Sequence, residues 1–193
     1  MTHASEGIKF ETALFLPSAV RVGGMDKHEL VEALRRHNVR LNQAAEALFH
    51  HPQFTLLAES KVVDIAVVSV SGLGFREGAT YQQLTSQALE SGLVECPIEL
   101  APHLRMQFLD QPEGSAGFPA TQHRAPFGSV TVASSPLDGG GETPKGFYLR
   151  RIDGVLWLRG YWSRPDNVWS EGDVFVFSRT QETHHRRRSP PLA

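Results

Sequence analysis

Residues 146–162, GFYLRRIDGVLWLRGYW, constrain this chain more than any other stretch. Asp153-Gly154 stands between two runs in which apolar side chains alternate with cationic or aromatic ones. An Asp-Gly pair in that setting predicts a two-residue hairpin turn, whose central positions both need a positive φ. Such a turn fixes the register. Ile152 then faces Val155, Arg150 faces Trp157, and Tyr148 faces Arg159. On the other side Arg151 meets Leu156, Leu149 meets Leu158, and Phe147 meets Gly160. Directly opposed residues share a face.

The mixture therefore separates into two surfaces. Phe147, Leu149, Leu156 and Leu158 make a core face. Tyr148, Arg150, Trp157, Arg159 and Tyr161 make the opposite one. Arginine and tryptophan on neighbouring strands stack, and guanidinium forks match carboxylates and phosphates. Aromatics on a sheet also stack bases in single-strand binders. Against these stands the plainer account of a covered outer sheet face. Residues 103–109 alternate as well and predict another strand, with Leu104, Met106 and Phe108 one way and His103, Arg105 and Gln107 the other. If that strand neighbours the hairpin, His103 and Arg105 join the same anion-binding face.

Elsewhere the pattern predicts strands over 8–16, 61–70 and the segments GSVTVASS and VFVFSR. Asp26 and Glu29 form a capping box for a helix. Asn38 is suited to ending it in a left-handed conformation, and Asn42 caps a second helix closed by Pro52. These two predict an N-terminal helical hairpin over about 26–51. It resembles a helix-turn-helix in outline, but Glu29, Glu32 and Glu46 balance Arg35, Arg36 and Arg40, so a packing role is expected. Thr80 caps a further helix over 81–91 that stops at Gly92. Residues 111–127 read as a long loop and 181–193 as a disordered basic tail. The expected class is α+β: a single domain over 1–180 with about seven strands and three helices. Its sheet is mainly antiparallel, with the hairpin and one further helix packed on it.

Several chemistries are weak here. DGGGETPKG lacks the Gly-Lys-Ser/Thr that opens a helix in a phosphate loop, and GLGFREG has the wrong spacing for a dinucleotide fingerprint. The single Cys96 beside Glu95 is expected to be a small buried hydrophobe, and one cysteine excludes a disulfide framework or a cysteine zinc cluster. The adjacent pairs His50-His51 and His184-His185 do not suit metal ligation. No carboxylate pair stands out, and Arg186–Arg188 read as solvated. No cofactor and no metal site are expected. A net charge of −2 offers no general attraction to nucleic acid or acidic membranes. The N-terminus lacks a signal-peptide pattern and no apolar run reaches membrane-spanning length. A cytoplasmic protein is expected.

ECPIELAPHLR and PKGFYLRRIDGVLWLRGY resemble segments of a family of uncharacterised bacterial proteins, over roughly 27–178. The resemblance implies a bacterial, soluble, single-domain protein and carries no catalytic residues. Two functional readings follow. The first is a non-enzymatic binding module using Tyr148, Arg150, Trp157, Arg159 and Tyr161 with His103 and Arg105. Its expected partner is a protein, ahead of a small anionic ligand or single-stranded nucleic acid. The second is an enzyme acting on a small phosphate- or carboxylate-bearing substrate, with His103 as acid–base.

Overall fold

The computed structural model describes residues 16–115, 126–139 and 143–180. The elements in chain order are β1 (Ala19–Val22), α1 (Lys27–Arg36), β2 (Arg40–Leu41), α2 (Gln43–His50), β3 (Lys61–Ser69), β4 (Ala79–Thr80) and α3 (Tyr81–Glu90). There follow β5 (Leu93–Val94), α4 (Leu100–Gln107), β6 (Val130–Val132), β7 (Gly146–Ile152), β8 (Val155–Tyr161), β9 (Val168–Trp169) and β10 (Val174–Arg179). Eight strands form one curled sheet in the order β1-β3-β10-β6-β7-β8-β2, with β5 also paired to β10; β4 and β9 pair separately. The class is mixed α and β with a mainly antiparallel sheet. Two pairings are parallel, β6 with β10 and β2 with β8.

Helices cover both sheet faces. On the inner face Phe147, Leu149, Leu158, Val130 and Val176 pack against Leu34 of α1, Leu48 and Phe49 of α2, and Leu100 and Leu104 of α4. On the outer face Ala66, Val68, Phe175 and Phe177 pack against Leu84 and Ala88 of α3 and against Trp169. Alternate residues of β10 thus serve opposite cores, the period-two rule of a strand buried on both sides. No helix among the described residues is long and apolar enough to cross a membrane.

Local signals hold where they are local. Asp26 and Glu29 form the capping box of α1, Asn38 has φ 55°, and Asn42 caps α2. Thr80 caps α3, and Gly92 has φ 73°. Asp153 and Gly154 have φ 51° and 71°, as a type I′ turn needs. The β7–β8 register is the one the turn dictates, from Ile152 opposite Val155 to Phe147 opposite Gly160.

Two expectations are corrected. Residues 26–51 do not form a helical hairpin. Arg40 and Leu41, between the helices, pair with Trp157 and Leu158 and extend the sheet. α1 packs against α4, whereas α2 packs on β7 and β8. Nor is 103–109 a strand: Leu100–Gln107 is helical. Leu100, Leu104 and Phe108, all buried, recur at the four-residue spacing of a helix face, which competes with the two-residue alternation. Pro102 lies in the first helical turn, where its missing N–H costs no intrahelical bond. The predicted strand over 8–16 falls almost wholly outside the described residues, as do most of the 111–127 loop, the 181–193 tail and the Arg186–Arg188 run.

Candidate functional site

The outer face of the hairpin is a row built across three strands. Arg40 on β2 lies directly beside Trp157 on β8, and Trp157 lies opposite Arg150 on β7. Arg159 follows two residues along β8, opposite Tyr148. The Arg159 guanidinium sits 5.0 Å from the Trp157 ring centre and that of Arg40 sits 5.9 Å from it. Tyr148, Arg150, Trp157 and Arg159 are part-exposed and Arg40 is exposed. Among the described residues none of the three arginines forms an ion pair, and Nε of Arg159 is buried with no hydrogen-bond partner. This is a donor-rich surface, two of whose three cations lie against an indole ring rather than against a carboxylate.

The other end of the face is packed. Tyr148 lies 6.4 Å from Tyr161, which meets Trp169 edge-on at 5.6 Å, and Trp169 meets Phe175 at 4.9 Å. Burial raises the Tyr161 hydroxyl above the ordinary phenol range, with Glu95 adding to the shift. Tyr161 is therefore the hinge between the outer core and the arginine row. Next to it the Tyr81 hydroxyl donates to Glu95 at 2.7 Å and Ser135 donates to the other carboxylate oxygen at 2.6 Å. Burial is also the main cause of the raised Tyr81 pKa.

β8 is held in place by α2. Asn42 donates from Nδ2 to the Gly160 carbonyl at 3.0 Å, and its Oδ1 accepts from Gly160 N at 2.8 Å and from Ala45 N at 3.0 Å. One side chain thus caps a helix and continues the β2–β8 ladder. Only glycine fits opposite: a Cβ on Gly160 would lie 2.5 Å from the Ala44 carbonyl carbon and 2.6 Å from Ala45 N.

His103 and Arg105 do not join this face. Both are buried on α4, which packs on the opposite side of the sheet. His103 Nε2 accepts from Gly23 N at 3.2 Å, and burial lowers its pKa. The Glu99 carboxylate lies 3.9 Å away; burial raises its pKa, opposed by hydrogen bonds from Leu57 N. One helical turn on, Gln107 accepts from Arg21 N at 3.1 Å and donates to Arg21 O at 2.8 Å. Arg21 and Gly23 are alternate residues, spaced about 6.7 Å along an extended chain. Residues 103 and 107 rise about 6 Å along the helix. The match lets α4 cover the open edge of β1. His103 also lines a groove of about 680 Å³ with Arg36, His37, Met25 and Met106, where Arg36, in the last turn, complements the carbonyl end of α1.

Arg105 is fully enclosed. It donates to Gln111 and lies 5.7 Å over the Phe108 ring. Burial lowers its pKa to about 10, with Asp110 opposing. Gln111 in turn donates to the carbonyls of Gly128 and Leu149, so Arg105 ties the segment after α4 to β7. Cys96 is buried, its thiol donates to Val176 O at 3.6 Å, and burial pushes its pKa up to about 12. Among the described residues no cluster of three metal-ligating side chains forms.

Arg40 is the residue that sequence reasoning missed. In the sequence it stands with Arg35 and Arg36 among the basic residues of an expected helical pair. The available signal is short: Asn38 ends α1, and Val39 and Leu41 then alternate with Arg40 before the Asn42 cap. Comparison with family models, curated proteins and solved structures gives no match, in keeping with a family of unassigned function. The site is thus read from its own geometry.

Proposed function

We propose that this chain is a non-enzymatic interaction module, cytoplasmic and bacterial, that binds a protein partner through the outer face of the β7–β8 hairpin. The observation that supports this reading is the pair of guanidiniums, Arg40 and Arg159, against the Trp157 ring, with Arg150 opposite it on β7, all three at least part-exposed and without an ion pair among the described residues. Arginine and tryptophan anchor protein interfaces because they combine apolar area with directional donors. The enzymatic reading has no comparable support, since His103 Nε2 is occupied by a backbone amide and lies across the sheet from these arginines.

The test is a photo-cross-linking residue in place of Tyr148, with one in place of the exposed Leu89 of α3 as control. A partner identified through position 148 should bind the purified chain. It should cease to bind Arg150→Ala and Arg159→Ala variants that keep their thermal stability. Binding that survives both substitutions overturns the reading.

A further inference from the structure

We infer that the partner segment seated on this face is acidic: Arg150, Arg159 and Arg40 read a run of carboxylates, with Trp157 as the platform of the last two. The inference rests on the reading of the hairpin as a docking face and adds the chemistry of what docks there.

Stacking uses the flat side of a guanidinium and leaves its in-plane N–H groups available. Arg159 and Arg40 lie over the Trp157 ring, 5.0 and 5.9 Å from its centre. Arg150, directly across the strand pair from Trp157, has no stacking or ion-pair partner among the described residues. Among the described residues none of the three is held by a carboxylate, and apart from the buried Arg159 Nε their N–H donors are open to one. Carboxylates accept such forks bidentately. β2, β8 and β7 are successive strands, so Arg40 and Arg150 stand about 10 Å apart across the sheet. One carboxylate does not span that distance, whereas a run of acidic side chains does.

The same geometry disfavours nucleic acid. Binders of single strands stack bases on open aromatic rings. Here the indole already carries guanidiniums, and Tyr148 leans on Tyr161. A base would have to displace one of these contacts. The chain's net charge of −2 adds no general attraction to a polyphosphate.

The experiment is fluorescence anisotropy of the full chain with three labelled probes: deca-glutamate, deca-lysine and the oligonucleotide dT10. Deca-glutamate should bind saturably and more tightly than dT10, and deca-lysine should not bind. Arg150→Ala and Arg159→Ala should each weaken deca-glutamate about tenfold or more. Arg36→Ala, in the groove on the other side of the molecule, should leave it unchanged. Tighter binding of dT10, lost in the same two variants, overturns the acidic partner while keeping the docking face. Deca-glutamate binding that ignores both substitutions overturns the inference, and so does no binding to the wild type. In the last case the cross-linking experiment still decides separately whether the face binds a protein.

Discussion

Gly160→Ala tests how the arginine row is held. The added methyl would meet Ala44 C, Ala45 N and Ala44 O at 2.5, 2.6 and 2.7 Å. Ordinary contact needs about 3.5 Å or more, so the first turn of α2 must retreat by about 1 Å. Backbone atoms have no rotamer by which to escape. A retreat of that size forfeits a quarter to a half of the local dispersion contacts, and overpacking of this kind costs about 1–3 kcal/mol. It also stretches the two Asn42–Gly160 hydrogen bonds, at about 0.5–1.5 kcal/mol each. The expected total is about 3 kcal/mol, or about 6–12 °C in Tm for a chain of this size. Urea denaturation of the purified variant measures it.

Asn42→Ala supplies the internal control. Alone it should cost about 1–2 kcal/mol through the lost cap and ladder. In the Gly160→Ala background it should cost much less, because the same seat is already broken. A Gly160→Ala variant within about 0.5 kcal/mol of wild type would refute the close approach of α2 to β8. Strict additivity of the two substitutions would refute their shared origin.

Leu149→Ala and Leu158→Ala, both fully buried, should each cost about 2–5 kcal/mol in urea denaturation, while Arg150→Ala should stay within about 0.5 kcal/mol; the reverse ranking would mean the two hairpin faces are exchanged. Because burial lowers the His103 pKa from its ordinary 6.5, the unfolded chain takes up the proton first as pH falls below that value. Wild type should therefore lose stability there relative to His103→Gln. Glu99, raised by burial, acts in the opposite direction, so the difference between the two unfolding curves is the quantity to compare, and parallel curves from pH 7 to 5 would sink the assignment. Gln107→Ala should open the edge of β1 and produce concentration-dependent self-association in sedimentation velocity; a strictly monomeric variant would show that the edge needs no cover.

The parts of this fold that could be read from the chain are those decided by neighbours in sequence. The I′ turn at Asp153-Gly154 set every pair of β7 and β8 because its geometry admits one register. The capping box at Asp26 and the cap at Thr80 are legible for the same reason, since each is complete within four residues. The helix at 100–107 was hidden because its apolar residues fit both periods, and the deciding contacts lie far away, on β1 and β7. β2, β4, β5 and β9 are two residues each, too short to carry a period. Of the candidate site, the hairpin contribution was legible and Arg40 was not. Its place beside Trp157 depends on a parallel pairing across more than one hundred residues.

Polar residues that stand out in a sequence need not be the ones available to a partner. A sheet can meet another protein at its edges or on a face. At one edge, Gln107 occupies the outward amide of Arg21 on β1 and His103 that of Gly23 just after it. At the other, β2 supplies only two residues before the Asn42 amide takes over the ladder at Gly160. The most chemically suggestive side chains on α4 and at the start of α2 are thus engaged in closing the sheet. Arg151 of the hairpin pairs with Glu113, whereas Arg150 and Arg159 on its outer face form no ion pair among the described residues. The face around Trp157, where Arg40 and Arg159 lie against the ring, is the surface on which the proposed docking rests.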